Sequence, residues 1–285
     1  MKNIYLSVVL LIIYNILSAN PIWFQQPRQH FDTNLFIAGV GEGSCYESAM
    51  SIARAELIQQ ISVSVKSEVL VSFLSIETES WGRYEEIISK NIYSTSEREV
   101  QGIEILRQEQ SQGRFFVMLG LNMQRMIRNM EIEMSDLWRG IQNSLQNVQR
   151  HINNGQIVFA VNTLNDIQTP LIELYTVRAM HVAFAEQVFQ ISDLITLSDI
   201  DIKIRNILSA IRFEINSGDY QSVRRSLLLP HPVVFRAISR ETVGDEVLLR
   251  NLPVVLSYGD GQIIESGITN ERGEYSIRPF GTPNV

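Results

Sequence analysis

Hydrophobic positions along this chain change their period several times, and each change marks an element. Residues 35–40 are a compact apolar run ending in Gly39-Val40-Gly41-Glu42-Gly43, which predicts a strand leaving through a glycine turn. Ser44 and Glu47 follow at capping-box spacing, where a hydroxyl accepts from an orphan N–H and a carboxylate reaches back. The helix they open carries Ala49, Met50, Ala53, Leu57 and Ile61 on one side, and its small alanines suit close packing on a sheet. From Ile61 the period drops from near four to two. Ile61, Val63, Val65, Val69, Val71 and Phe73 share one parity, and Ser62, Ser64, Lys66 and Ser72 take the other. That alternation predicts a long half-buried strand with one wet or partner-covered face. Residues 84–96 are ambiguous between helix and loop. Residues 100–110 and 114–122 read as two strands around a Ser111-Gln112-Gly113 turn, which completes a β-α-β-(α)-β-β order.

A long helical pattern follows. Met126, Met130, Leu137, Ile141, Leu145, Val148 and Ile152 keep one face until Asn153-Asn154-Gly155 stops them. Residues 156–167 predict a second short helix closed near Pro170, and residues 171–189 and 198–215 predict two more, the last ended by Asn216-Ser217-Gly218. The first pair is faintly similar to a tetratricopeptide unit, without a convincing repeat. Residues 233–238, 254–258, 263–268 and 274–277 are then short strands separated by Gly259-Asp260-Gly261 and Asn270-Glu271-Arg272-Gly273, both strong turn sequences. Four strands are few for a sandwich, which usually has about seven, so this module is expected to be only partly contained in the chain. The resulting α+β organisation is a signal at 1–19, an α/β domain at 20–125, a helical spacer at 126–229 and a β-sandwich-like module at 230–285.

Composition narrows the function classes. The 285 residues are 45% hydrophobic and 19% charged, enough apolar content for real cores. A net charge of −7 argues against nucleic acid, whose phosphates need a basic surface. One cysteine excludes an intrachain disulfide framework and multi-cysteine metal sites. The first nineteen residues read as a secretory signal: Lys2, an apolar run over 4–17, and Ser18-Ala19 for cleavage. That run is short for the roughly 20 residues a bilayer core needs, so export with cleavage outweighs a transmembrane anchor. Losing Lys2 leaves 24 − 1 = 23 basic against 31 acidic residues, a net charge of −8. No cysteine follows the apolar run at a lipid-acceptor position, so no lipid anchor is expected.

Catalytic chemistry finds little purchase. Gly39-Val-Gly41-Glu-Gly43-Ser44 misses the dinucleotide fingerprint, because its third glycine is one residue early and Glu68 comes too late to hold a ribose. His30, His151, His181 and His231 lack metal-ligand spacing, and only His181 sits inside a strongly apolar helix. Cys45 has no resolving partner and reads as a small buried filler. Familiar hydrolase motifs are missing. Pairs such as Glu85-Glu86 and Asp199/Asp201 belong to helix starts and solvated faces. Asp260, Asn270 and Glu271 match turn chemistry better than a calcium loop. No catalytic residue, cofactor or metal is expected.

One resemblance stands on particular residues. Pro21-Ile-Trp23-Phe24, then Phe36-Ile-Ala-Gly39-Val-Gly41, then Ala49…Ala53-Arg54-Ala55-Glu56-Leu57 and Ile61-Ser-Val63-Ser-Val65-Lys66-Ser67 together resemble the LPP20 lipoprotein family, related to the N-terminal domain of the flagellar protein FlgT. The likeness covers residues 21–125. It implies a small α/β domain with helices on a curved antiparallel or mixed sheet, found in bacterial envelope proteins and not known to be catalytic. Its signature positions are Trp23, Gly39, Gly41, Gly43, Ser44, Glu47 and Ala53. Leu252-Pro253-Val254 through Gly273-Glu-Tyr275 also looks like the start of a transthyretin-like or carboxypeptidase-regulatory-like sandwich, which implies a binding module. The expected function is a non-catalytic exported envelope protein, periplasmic or outer-envelope associated, working through contacts with other envelope proteins. Ser62, Ser64 and Lys66 are its candidate interface. Two rivals are a small-ligand or glycan-binding protein using Trp23, Trp81 or Trp138, sited between the α/β and helical parts, and an envelope hydrolase, for which a His–carboxylate pair would be the marker.

Overall fold

The computed structural model describes residues 20–73, 102–185, 189–224, 227–240, 246–258 and 261–279, without the side chains of 64–73. The signal segment, Trp81, the ambiguous residues 84–96 and the Gly259-Asp260 half of one turn lie outside the described residues. The chain is an α+β protein with antiparallel strand pairing throughout the described sheets. It divides into two compact units, Met1–Asp136 with Ile172–Ser192, and Leu137–Leu171 with Asp193–Val285.

The first unit holds α1 (Ile22–Gln25), β1 (Phe36–Gly43), α2 (Tyr46–Phe73), β2 (Glu104–Ser111) and β3 (Arg114–Asn122). Its sheet runs β1-β3-β2. The central β3 is nearly all apolar, as a strand covered on both faces must be. Phe116 and Met118 join Ala38 and Trp23 in a core cluster, with Phe24, Phe31, Val40 and Leu106 packed on it. The opposite face belongs to α2. Gly39, Gly41 and Gly43 do not form the expected turn; they are alternate residues of β1 itself, and they leave the space into which the helix settles. A Cβ on Gly39 would sit 2.9 Å from the Leu57 amide nitrogen, and one on Gly43 2.5 Å from that of Ala49. Ala49, Ala53, Leu57 and Ile61 are fully buried. Short residues on both sides therefore bring helix and strand backbones together.

Three expectations for this unit need correction. The first carbonyl to accept a helical bond is that of Cys45, from Ala49 N–H at 3.1 Å, so Cys45 holds the N-cap place and is exposed. Ser44 and Glu47 stand one step out of capping-box register. The strand expected over 61–73 is the continuation of α2. Its parity set contains Ile61, Val65, Val69 and Phe73, four residues apart, the same sequence spacing as Ala49, Ala53 and Leu57. The residues at helical spacing are a subset of the alternating set, so both periods fit the same sequence. The face assigned to Ser62, Ser64 and Lys66 is accordingly no strand face.

The expected hairpin over 100–122 is present, with β2 beginning at Glu104 and Gln112 and Gly113 both at positive φ (48° and 74°), the two-residue turn that matches strand twist.

Helix α3 (Met123–Asn153) and helix α4 (Ile157–Phe184) follow, each divided between the two units. The end of α3 is a full Schellman motif: Gln156 N–H reaches the His151 carbonyl at 2.8 Å and Gly155 N–H that of Ile152 at 2.9 Å, with Gly155 at φ 71°. Pro170 does not close a helix; it lies inside α4. A proline there costs about 3 kcal/mol. Ile167, Leu171, Ile172 and Leu174 are all buried around it, at roughly 1.5–3 kcal/mol each, which outweighs the lost bond.

In the second unit, α5 (Leu197–Ser209) starts at a true capping box, Thr196 with Asp199. It stops at Ser209, and residues expected to prolong it form β4 (Ile211–Ser217) instead. Then come β5 (Val233–Ser239), β6 (Val247–Leu248), β7 (Pro253–Ser257), β8 (Ile263–Ile268) and β9 (Glu274–Ile277). Strand β5 is central. Residues 234–239 pair with β4 on one edge, and the other edge is divided between β9 at 233–236 and β6 at 238–239. Strands β7 and β8 form a separate hairpin.

Candidate functional site

The second unit's strands carry a cavity with an apolar lining. Alternation on β4 puts Ile211, Phe213 and Ile215 on one face and Arg212 and Glu214 on the other. Across the ladder Phe213 stands opposite Ala237, Ile215 opposite Phe235, and Phe235 opposite Tyr275. This apolar face and β7 enclose a cleft of about 470 Å³, lined by Phe213, Phe235, Val254, Leu256, Thr269 and Tyr275 among others. The face is only half covered. Phe213 is 57% exposed and Ile215 54%, where the inner face of a closed sandwich would be buried.

The cleft's floor is rigidly tied. Thr269 is buried, and its Oγ1 donates to the Leu249 carbonyl at 2.6 Å while accepting the Leu252 N–H at 2.9 Å. Tyr275 lays its ring over Gly267 and directs its hydroxyl toward the Ser266 carbonyl at 3.4 Å. Its phenol is pushed above the ordinary value of 10.0, first by desolvation, then by a hydrogen bond to Glu265 and that carboxylate's charge. The outer face is polar. Arg236 bonds Glu274 at 3.1 Å, and Arg240 reaches Glu214 at 3.1 Å and Glu246 at 3.4 Å. A second, polar cleft beside α5 is lined by Asp199, Lys203, Arg212 and Arg240.

The positions singled out from sequence lie in the other unit. Gly39, Gly41, Gly43 and Ala53 build the helix-on-strand contact. Trp23 is 7% exposed, and its Nε1 donates to Glu109 at 3.0 Å, so its indole is a core wall and no stacking platform. Ser62 Oγ is buried without a hydrogen-bond partner among the described residues; the side chains of Ser64 and Lys66 lie outside them. Trp138 is half-buried on α3. Phe213 and Ile215 were missed because the stretch 198–215 was read as one helix; their strict alternation with Arg212 and Glu214 was the available signal.

The histidines divide. His151 Nδ1 lies 2.9 Å from Gln156 Oε1, and its ring stacks on Phe159. His181 is 1% exposed, with Nε2 at 3.4 Å from Glu131 Oε1 and Nδ1 buried without a partner among the described residues. A His–carboxylate pair therefore exists. Thr176, also buried on α4, donates its hydroxyl to the Ile172 carbonyl at 2.9 Å. Among the described residues no three His, Cys, Asp or Glu side chains gather to hold a metal, and no helix is long and apolar enough to cross a membrane.

No family model matches the chain, and no curated protein does. Among solved structures, the crystal structure of the secreted protein HP1454 from the human pathogen Helicobacter pylori aligns over 58% of this chain at 16% identity with a TM-score of 0.32. The chain spans 58% of that structure. So loose a likeness adds nothing to the argument.

Proposed function

We propose that this is a non-catalytic, exported envelope protein that works through protein–protein contacts, with the β unit as its contact module and an LPP20-like unit as its body. One observation carries the reading: the apolar inner face of β4, with Phe213 and Ile215 more than half exposed beside a formed cleft. Exposed apolar patches of that kind mark interaction sites more often than chance surface. The apolar run over 4–17 and the small residues at 18–19 support export. Photo-crosslinking from position 215 in intact cells tests the reading. Adducts to a defined envelope protein or to the chain itself are expected. A chain that reaches the envelope and yields no adduct ends it.

The cleft also supports a second reading, a small apolar ligand, since about 470 Å³ falls within the usual range of ligand pockets. Thermal-shift measurement on the purified chain with envelope lipids and saccharides separates the two: a bound compound raises the melting temperature with the logarithm of its concentration above its Kd, and a chain that takes none of them shows no shift.

A further inference from the structure

We infer that β4 is a self-pairing edge, and that the partner it takes is a second copy of this chain in antiparallel register centred on Phe213. The inference rests on the reading of the β unit as a contact module and names its partner.

The two sheets treat their edges differently. In the first unit, β1 is an edge strand, and α2 covers it: the Glu56 carboxylate accepts the Val40 N–H at 2.6 Å, and Gln60 Nε2 donates to the Ala38 carbonyl at 3.1 Å. The opposite edge, β2, carries Glu104, Arg107, Gln108, Glu109 and Gln110, a polar row that discourages pairing. Strand β4 has neither device in full. It pairs only with β5 among the described residues.

The backbone of β4 settles which residues face outward. Arg240 N–H reaches the Ala210 carbonyl at 3.3 Å, which makes 210 and 240 a hydrogen-bonded pair. Alternation then turns the backbone groups of 212 and 214 toward β5 and those of 211, 213 and 215 to the free edge. A copy centred on Phe213 meets these groups in register. Phe213 faces its own equivalent, and Ile211 faces Ile215 of the copy, so all three outward residues find partners. The apolar faces of the two strands join into one surface.

The charges agree with the same register and no neighbouring one. Pairing about Phe213 sets Arg212 opposite Glu214 of the copy, twice over, at the non-hydrogen-bonded positions where side chains lie closest. A slip of two residues, the smallest that keeps outward backbone groups opposite one another, centres the pair on Arg212 or on Glu214 and places like charges face to face. Neither group is spent. Arg212 uses only Nη1, toward the Ser209 and Ile211 carbonyls at 2.7 and 2.8 Å. Glu214 takes one bond from Arg240 and has lone pairs for another donor. The Ile211 carbonyl likewise keeps a second lone pair.

Sedimentation equilibrium of the full chain, with two variants and their mixture, tests this. Wild type is expected to be a reversible dimer. Arg212→Glu and Glu214→Arg each place two like-charge pairs across the joint and should weaken it about tenfold or more. Mixing the two single variants restores opposite charges at both pairs, so the mixture should dimerise again. Circular dichroism confirms that each variant is folded. A wild type that stays monomeric, or a mixture no tighter than its components, overturns the inference. A monomer that still gives photo-adducts to another envelope protein from position 215 removes the self-pairing and leaves the contact module standing; a monomer with no adduct removes both.

Discussion

Replacing Gly41 by alanine adds one carbon at the place where α2 lies closest to the sheet. That Cβ would stand 2.5 Å from the Ala53 amide nitrogen and nearer still to the Ala49 carbonyl oxygen. Ordinary contact begins at 3.4 Å, so the helix must retreat by at least 0.9 Å to clear that nitrogen and by more to clear the oxygen. Both obstacles are backbone, and no rotamer change relieves them. The helix is also held to the strand edge through Glu56 and Gln60, so lifting it strains the Val40 bond. Overpacking costs typically 1–3 kcal/mol, and this site belongs at the top of that range. The smaller entropy of an unfolded alanine chain returns only about 0.4–1 kcal/mol. The net loss is therefore about 2–3 kcal/mol. Urea unfolding read by hydrogen exchange on β1 and α2 peptides isolates the first unit's transition from the second's. With a urea slope of about 1–3 kcal/mol per molar, the midpoint should fall by roughly 1–2 M. Gly140→Ala is the control. Gly140 is exposed within α3 with no atom within 4 Å of a built Cβ, and alanine there should gain about 0.5–1 kcal/mol. A Gly41→Ala protein that keeps the wild-type midpoint would refute the close-packing argument.

Other substitutions separate the remaining contributions. Thr269→Val keeps the side-chain volume and deletes both hydroxyl bonds, leaving a buried N–H and a buried carbonyl short of partners; a loss of about 2–4 kcal/mol in the second unit, measured by urea titration, is expected. Thr196→Ala removes the α5 cap and should lower the same unit's stability by about 1 kcal/mol, visible as faster exchange across 197–209. Tyr275 binds its proton more tightly folded than unfolded. Its contribution is thus complete below the ordinary value of 10.0 and is lost as pH rises through the folded value above it. Spectrophotometric titration should show one late phenol that moves back toward 10.0 in Glu265→Gln; a phenol already ionising at its ordinary value would contradict the assignment.

Much of the fold was legible where its signals are local. The 111–113 turn, the apolar run of β3 and the Asn153-Asn154-Gly155 stop each depend on a few neighbouring residues, and each appears where chain chemistry puts it. The glycines were visible as a motif yet misjudged in role. Three glycines in five residues suggest a turn, but their spacing of two places them on one face of a strand, and only a partner helix with alanines at steps of four gives that face a purpose. That partner was in view as well, but its length was not, since Ile61, Val65, Val69 and Phe73 satisfy both periods at once.

The second unit shows the opposite error and bears more directly on function. A helix was extended through residues 210–215, where Ile211, Phe213 and Ile215 alternate with Arg212 and Glu214. Five residues of alternation are too few to outvote a preceding helical run by periodicity alone. What decides the matter is non-local: β5, beginning eighteen residues beyond Ile215, supplies the ladder that residues 211–217 join. The candidate site was hidden for the same reason. Its lining comes from residues 213, 235, 254, 269 and 275, which share no local pattern and meet only when two antiparallel hairpin layers face each other. A cleft of this kind is assembled by topology, so no short run of neighbouring residues records it. The exposed side chains of β4 are therefore where substitution should separate function from stability. Phe213 is more than half exposed in the isolated chain, so Phe213→Ser should cost that chain little while weakening any assembly that covers it. A variant that unfolds the second unit as readily as it disrupts assembly would show that Phe213 belongs to the core instead.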